Sequence, residues 1–324
     1  MSISRRQFGT LASAFSAACL LDHPSLAATG RRIPQRASAR VIVDNDFAGD
    51  PDALVALAHQ LLTPKTRTTL ITSSALDRKL TGAVPADRSA EIGRTIVQDL
   101  LKQGRIPAPP PVLAGSEELN LAEPEVSAAA KAIVAEAMRD DPLPLFFTCG
   151  GPLTNIAAAL RIEPAIASRM TVIWIGGGRY PAGGWEYNLS ADLQAARIVI
   201  EQSKIPLWQI PQNAYRQMQF SVAEMAHRLR PVSPFGAWLY EKFTSPPSFV
   251  DVGGAWPLGD SPTVLLSAIS QESSVALDRP ALRIKEDCTY GELVPDRTIR
   301  VYETLDARLT FEDFLSLMHL QAAS

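Results

Sequence analysis

Asp44, Asp46, Asp50 and Asp52 fall within one segment, Val-Ile-Val-Asp-Asn-Asp-Phe-Ala-Gly-Asp-Pro-Asp-Ala-Leu-Val-Ala-Leu, residues 41–57. Carboxylates this close repel one another, and left uncompensated they cost stability. A hard divalent cation resolves the conflict, because it takes several carboxylate oxygens at once. Capping a helix and complementing its dipole uses one or two carboxylates, not four. The cluster therefore reads as a candidate metal site.

Three later stretches carry residues of related chemistry. Phe146-Phe147-Thr148-Cys149-Gly150-Gly151-Pro152-Leu153-Thr154-Asn155 runs from an apolar stretch into a glycine turn. Such a turn lets backbone approach a ligand, and its carbonyls can coordinate a cation, although a plain strand-to-helix turn has the same residues. In Trp185-Glu186-Tyr187-Asn188, an extended backbone puts Glu186 and Asn188 on one side, able to accept from and donate to sugar hydroxyls. Trp185 or Tyr187 offers an apolar face to a ring, while a loop Glu with a capping Asn is the plainer alternative. Leu258-Gly259-Asp260-Ser261-Pro262-Thr263 leads into an apolar run, where Asp260 is either a ligand or a helix N-cap.

These groups need rigid supports, and the hydrophobic pattern supplies them. Val41, Ile42 and Val43 are β-branched, as a buried strand requires, and Gly49 and Pro51 punctuate the turn into a helix. Strands are expected at 40–44, 69–73, 111–114, 144–148, 171–176 and 206–210. Helices are expected at 52–62, 89–103, 126–139, 154–161, 191–202, 222–229, 234–243 and 261–269. This alternation predicts an α/β fold with an open, doubly wound, mainly parallel sheet. Ligands in such folds sit outside the carboxyl ends of strands, where the aspartate cluster falls. Residues 230–257 are rich in Pro, Gly and aromatics and read as a lid or irregular loop; 275–315 reads as a terminal hairpin containing a strand at 298–303.

The chain has 324 residues, with 31 Lys and Arg against 34 Asp and Glu, a net charge of −3. That balance argues against a nucleic-acid surface. Hydrophobic residues make up 46%, enough for a sizeable core. Ser4-Arg5-Arg6-Gln7-Phe8-Gly9, an apolar run to Leu21, and Ser25-Leu26-Ala27 resemble a twin-arginine export signal over 1–27, which predicts a periplasmic or secreted protein. The apolar run is too short for a spanning helix, so no membrane association is expected after cleavage. Residues 28–39 read as a linker and 40–324 as a single domain. Cys149 and Cys288 then remain, too few for a disulfide framework but enough for one bond.

In their order and separations, these motifs resemble the inosine–uridine nucleoside hydrolase family over about residues 40–270. The resemblance implies an open α/β fold that binds Ca2+ and hydrolyses the N-glycosidic bond of ribonucleosides. It implies Asp46, Asp52 and Asp260 as calcium ligands with the Gly150 carbonyl, Asp50 as general base with its role exchangeable with that of Asp52, and Glu186 and Asn188 as the ribose-binding pair. The family usually reads Asp-x-Asp-Pro-Gly-x-Asp-Asp-Ala. This chain has Asp46-Phe47-Ala48-Gly49-Asp50-Pro51-Asp52-Ala53, so the register of the two later aspartates stays open, with Ala53 or Pro51 opposite one family Asp. A family histidine that assists departure of the base is replaced by Gly259, and the early Gly-Asn that helps hold the sugar is replaced near Leu76-Asp77, leaving Asp77 as a sugar contact. Trp185, Arg179, Tyr180, Tyr215 and Trp256 are candidates for the leaving-group pocket.

The expectation is thus an N-glycosyl hydrolase acting on a small nucleoside or related glycoside, with a homo-oligomer compatible with the chain. The departures at Ala53 and Gly259 motivate the alternative, a catalytically weak exported protein that binds nucleosides or sugars and keeps the metal cradle. A periplasmic solute-binding protein would also be α/β, yet it would not need four aspartates after its first strand.

Overall fold

The computed structural model describes residues 36–79, 84–248 and 250–323. The segment read as an export signal lies outside the described residues, as does most of the linker. In chain order the strands are β1 (Ala39–Asn45), β2 (Thr66–Ser73), β3 (Val112–Ala114), β4 (Leu145–Cys149), β5 (Met170–Ile175), β6 (Leu207–Ile210), β7 (Gln219–Ser221), β8 (Ala255–Pro257), β9 (Val275–Ile284) and β10 (Tyr290–Thr304). The α-helices are α1 (Asp52–Leu62), α2 (Ser89–Gln103), α3 (Ala128–Met138), α4 (Thr154–Ile162), α5 (Tyr187–Ala191), α6 (Leu193–Arg197), α7 (Gln212–Tyr215), α8 (Val222–Arg228), α9 (Pro234–Thr244), α10 (Pro262–Val264) and α11 (Ala307–Ala322).

Eight strands form one sheet in the order β3-β2-β1-β4-β5-β6-β10-β9. β1 to β6 are parallel to their neighbours, β10 continues in parallel beside β6, and β9 returns antiparallel at the edge. β7 and β8 form a separate antiparallel ribbon. The connections run outward through β2 and β3 on one side of β1, then restart at β4 on its other side. This reversal opens a crevice between the carboxyl ends of β1 and β4, where ligands bind in doubly wound folds. Asp46 follows the last residue of β1 and Gly150 the last residue of β4.

β1 is buried along its whole length, which suits its β-branched centre to a strand covered on both faces. One face packs Phe147, Trp174 and Ile156 with residues of α3, α4 and α6. The other packs Val41, Val43 and Leu57 with residues of α2, α8, α9 and α11. Cys149 and Cys288 are both buried free thiols, so the one available disulfide is not formed. Among the described residues no helix is long and apolar enough to cross a membrane.

The expected elements occur with local departures. β1 begins at buried Ala39, inside the stretch read as linker. The helix expected at 191–202 is divided, because Asp192 caps α6 by accepting from the Ala195 amide and so ends α5; the chain then continues as a π-helical turn over Ile198–Gln202. The helix expected at 261–269 is one α-turn followed by a π-turn, Leu265–Ile269. The terminal hairpin is present as β9 and β10, but it ends at Thr304 and a helix follows. Asp306 caps α11 through the Leu309 amide, and Phe311, Phe314, Leu315 and Met318 recur at helical spacing and bury one face.

α11 completes one face of the core, so truncating its central side chain must weaken the whole domain. Phe314→Ala is expected to cost about 3–5 kcal/mol of unfolding free energy in urea titration. An unchanged midpoint would mean that α11 is not part of the cooperative unit.

Candidate active site

The four clustered aspartates divide by position: Asp44 lies within β1, and the other three lie beyond its carboxyl end. Asp44, still within the strand, turns away from the crevice and anchors its neighbours. Its Oδ1 accepts from Thr72 Oγ1 and from Asn155 Nδ2 at 2.8 Å, and its Oδ2 from Ser74 Oγ at 2.6 Å. It ties β1 to β2 and α4 and does not line the cavity. The other three, Asp46, Asp50 and Asp52, face a cavity of about 740 Å³ at the switch point, together with Gly150, Glu186, Asn188, Gly259 and Asp260.

Asp260 arrives from far along the chain, and two devices hold it there. Asn45 brackets the pair: its Oδ1 accepts from the Asp46 amide at 2.9 Å while its Nδ2 donates to Asp260 Oδ2 at 2.8 Å. Asp52 Oδ2 accepts from the Asp260 amide at 3.1 Å. The approach depends on Gly150, where a Cβ would stand 2.3 Å from Asn45 Nδ2 and 2.5 Å from Asp260 Oδ1. Capping does not account for these carboxylates. Pro51 precedes α1 and Ser261 precedes α10, neither with a side-chain cap bond.

Electrostatics set the character of the cavity floor. Burial raises the carboxyls of Asp46, Asp50 and Asp260, and the neighbouring aspartates raise them further. Asp52 is pushed up to about 8, first by burial and then by the Asp260 charge. Asp52 Oδ1 is buried without a hydrogen-bond partner. An all-oxygen set of buried carboxylates with one orphaned oxygen fits a hard cation such as Ca2+. The set is not a finished cage: among the described residues no three Asp, Glu, His or Cys side chains converge as metal ligands.

The wall facing the floor differs from the extended stretch expected for Glu186 and Asn188. Glu186 is the N-cap of α5 and Asn188 lies in its first turn, because the Glu186 carboxylate captures the free amides at the helix start. Its Oε2 accepts from Gly177 N at 2.7 Å and Leu189 N at 3.0 Å; its Oε1 accepts from Asn188 N at 3.2 Å and from the Tyr215 hydroxyl at 3.0 Å. Asn188 Nδ2 donates to the carbonyls of Gly150 at 2.8 Å and Ile175 at 2.9 Å, linking wall to floor. The Gly150 carbonyl keeps a second lone pair for a ligand.

Trp185 stands at the rim, 59% exposed. Tyr215 and Trp256 also line the cavity. Arg179 and Tyr180 do not; Tyr180 packs near Arg279 and donates to the Pro280 carbonyl. Asp77 does not line it either, since its Oδ1 accepts from the Lys79 amide within its own turn, and Lys79 reaches the cavity instead. Gly259 is explained by packing: a Cβ there would lie 3.0 Å from Tyr215 Cδ2 and 3.2 Å from Asp52 Oδ2, so the tyrosine ring occupies the space of a side chain. His59 lies away from the cavity, buried with Nε2 2.9 Å from Asp313 Oδ2. Sequence reasoning missed Asn45, Gln212, Arg216 and Gln219. The last three follow the carboxyl end of β6, a position that the sheet rule marks as ligand-facing.

Similarity to known proteins identifies the molecule around this crevice as an N-glycosyl hydrolase of the nucleoside hydrolase type. The chain belongs to the inosine-uridine preferring nucleoside hydrolase family, whose family model matches residues 41–312. It is 29% identical over 230 residues to the pyrimidine-specific ribonucleoside hydrolase RihA of Salmonella paratyphi A, an alignment covering 63% of this chain and 70% of that protein. It is 44% identical over 61 residues to a putative pyrimidine-specific ribonucleoside hydrolase RihB of Shigella boydii serotype 4, covering 18% of this chain and 25% of that one. Among solved structures, the purine-preferring ribonucleoside hydrolase from Gardnerella vaginalis superposes with a TM-score of 0.66 at 19% identity, over 87% of this chain and 99% of that chain. An inosine-uridine preferring nucleoside hydrolase from Bacillus anthracis gives 0.63 at 16%, over 87% and 99%. At these identities the structural likeness establishes the fold.

The raised carboxyls give the metal-free protein a definite pH dependence. An unfolded aspartate titrates near 3.9, whereas folded Asp52 holds its proton to about 8. The folded chain therefore binds more protons than the unfolded chain between those values, and stability falls as pH rises through that window. In a chelator-containing buffer Tm should drop between pH 5 and pH 8. A flat profile would contradict the burial and repulsion assigned to this cluster.

Proposed function

We propose that this chain is an exported, calcium-dependent hydrolase that splits ribonucleosides into ribose and free base. The observation that carries the reading is that Asp46, Asp52, Asp260, Gly150, Glu186 and Asn188 line one cavity, with Asn45 joining the Asp46 amide to the Asp260 carboxylate and Asp52 accepting from the Asp260 amide. The family and the hydrolase relatives support the reaction class. Calcium rests on the oxygen donor set and on the orphaned Asp52 oxygen. Export rests on the twin-arginine sequence at Arg5-Arg6.

Asp46, Asp52, Asp260 and the Gly150 carbonyl would hold the ion. Bound there, it would supply positive charge that keeps these carboxylates ionised and orients a water and a sugar diol. Asp50, less deeply buried than Asp52, takes the water's proton as general base. The water oxygen attacks the anomeric carbon as its bond to the base nitrogen breaks. Positive charge gathers on the sugar ring, and the carboxylates around it stabilise that charge, as in other glycoside hydrolyses. Glu186 and Asn188 fix the wall against which the ribose is oriented, because their own positions are set by bonds to Gly177, Ile175 and Gly150. Trp185 and Trp256 offer faces to a flat base.

Mature protein incubated with a panel of purine and pyrimidine ribonucleosides plus Ca2+ should release free ribose. Nucleoside binding without ribose release would move the assignment to a binding protein that keeps the cradle. Asp46→Ala should lose calcium affinity and activity together. Asp50→Asn should keep calcium affinity while kcat falls by roughly 10²–10⁴, the range for a lost general base. Unchanged calcium affinity in Asp46→Ala, by calorimetry, would overturn the ligand assignment.

A further inference from the structure

Breaking the bond between sugar and base leaves an electron pair on the base nitrogen, and something must stabilise it. Among the described residues that line the cavity no histidine occurs, and most of the ionisable groups are carboxylates, which oppose negative charge. The Tyr215 hydroxyl is already committed to Glu186, and burial and the Glu186 charge raise it far above the ordinary tyrosine range. Two cations line the cavity, Lys79 and Arg216. Lys79 stands with Trp185 where the cavity meets a second cleft of about 490 Å³, toward Asn120 and Glu286. Arg216 directly follows α7 and Tyr215, and it lines the cavity with Gln212, Gln219 and Trp256. Its charge is felt at the Tyr215 hydroxyl, and its carbonyl, accepting from Gln219 Nε2 at 2.9 Å, fixes the backbone that carries it. Arg216 is exposed, and its guanidinium has no hydrogen bond or ion pair among the described residues.

We propose that Arg216 is the catalytic residue that receives the departing base. This rests on the hydrolase reading above and names the group that replaces a leaving-group acid. The bond between the anomeric carbon and the base nitrogen breaks, the electron pair stays on the nitrogen, and the base departs as an anion paired with the guanidinium. Arginine does not give up its proton at working pH, so it acts by charge and hydrogen bonds to the base's carbonyl or ring-nitrogen acceptors, and the base takes its proton from solvent afterwards. The attacking water's proton goes separately to the carboxylate base. The preferred substrates are accordingly nucleosides whose bases carry such acceptors and delocalise the charge.

The test compares two leaving groups on wild type, Arg216→Gln and Arg216→Lys. With uridine or inosine, whose bases leave poorly, Arg216→Gln should lower kcat by about a hundredfold or more, the lower end of what leaving-group assistance supplies. With 4-nitrophenyl β-D-ribofuranoside, whose phenolate leaves unaided, the same variant should lose less than about threefold in kcat/KM. Arg216→Lys should recover part of the nucleoside activity because it keeps the charge. Because the side chain is exposed, unchanged circular dichroism and Tm are expected in both variants. Equal losses on both substrates, or no loss on either, would overturn the assignment of Arg216 while leaving the hydrolase reading intact. A wild-type protein inert toward both substrates would overturn the two together.

Discussion

Mutual repulsion among buried carboxylates is the constraint around which this molecule is arranged. Asp46, Asp50, Asp52 and Asp260 face one cavity, and burial makes each of them costly to ionise. No arginine or lysine is hydrogen-bonded to any of the four among the described residues. A fold that keeps such a group at its ligand crevice must compensate it by protons, by a cation or by substrate. At working pH an enzyme of this class needs at least one of these carboxylates ionised to take a proton from water. Proton compensation alone would disable that step, whereas a cation would preserve it.

The surrounding structure holds this unfavourable arrangement in place. The parallel strands β1 and β4 deliver Asp46 and Gly150 side by side at their carboxyl ends. Asn45 joins the Asp46 backbone to the Asp260 side chain, and the bare α-carbon of Gly150 leaves the room for that contact. Asp44, inside the strand, accepts from Thr72 of β2 and from Asn155 of α4, so the end of β1 is tied to both. Removing its carboxylate would leave several buried donors unpaired, each worth about 1–3 kcal/mol. The Glu186 cap and the Asn188 side chain bind the opposite wall to the same floor.

Much of this was legible in the chain itself. The helices 52–62 and 89–103 match α1 and α2 end to end, because their apolar periodicity and flanking turn residues are unambiguous. The doubly wound order followed from alternation, and the crevice followed from the order. What escaped was whatever depends on contacts between distant segments. Asp44 reads like its three neighbours until Thr72, Ser74 and Asn155 are seen around it. Glu186 and Asn188 read as extended partners because nothing local reveals that Gly177 and Tyr215 complete a helix cap. Gly259 reads as a loss, yet it is the space claimed by the Tyr215 ring. α11 was missed for a different reason: its four buried apolar side chains do carry helical spacing, but the β-like stretch before them drew the reading past Thr304.

The most direct test of the central claim is a crystal structure grown in the presence of Ca2+. One ion is expected there, with carboxylate oxygens of Asp46, Asp52 and Asp260 and the Gly150 carbonyl at about 2.3–2.6 Å. A well-resolved cavity with no ion, or an ion bound elsewhere while Asp46 and Asp260 stay apart, would contradict it.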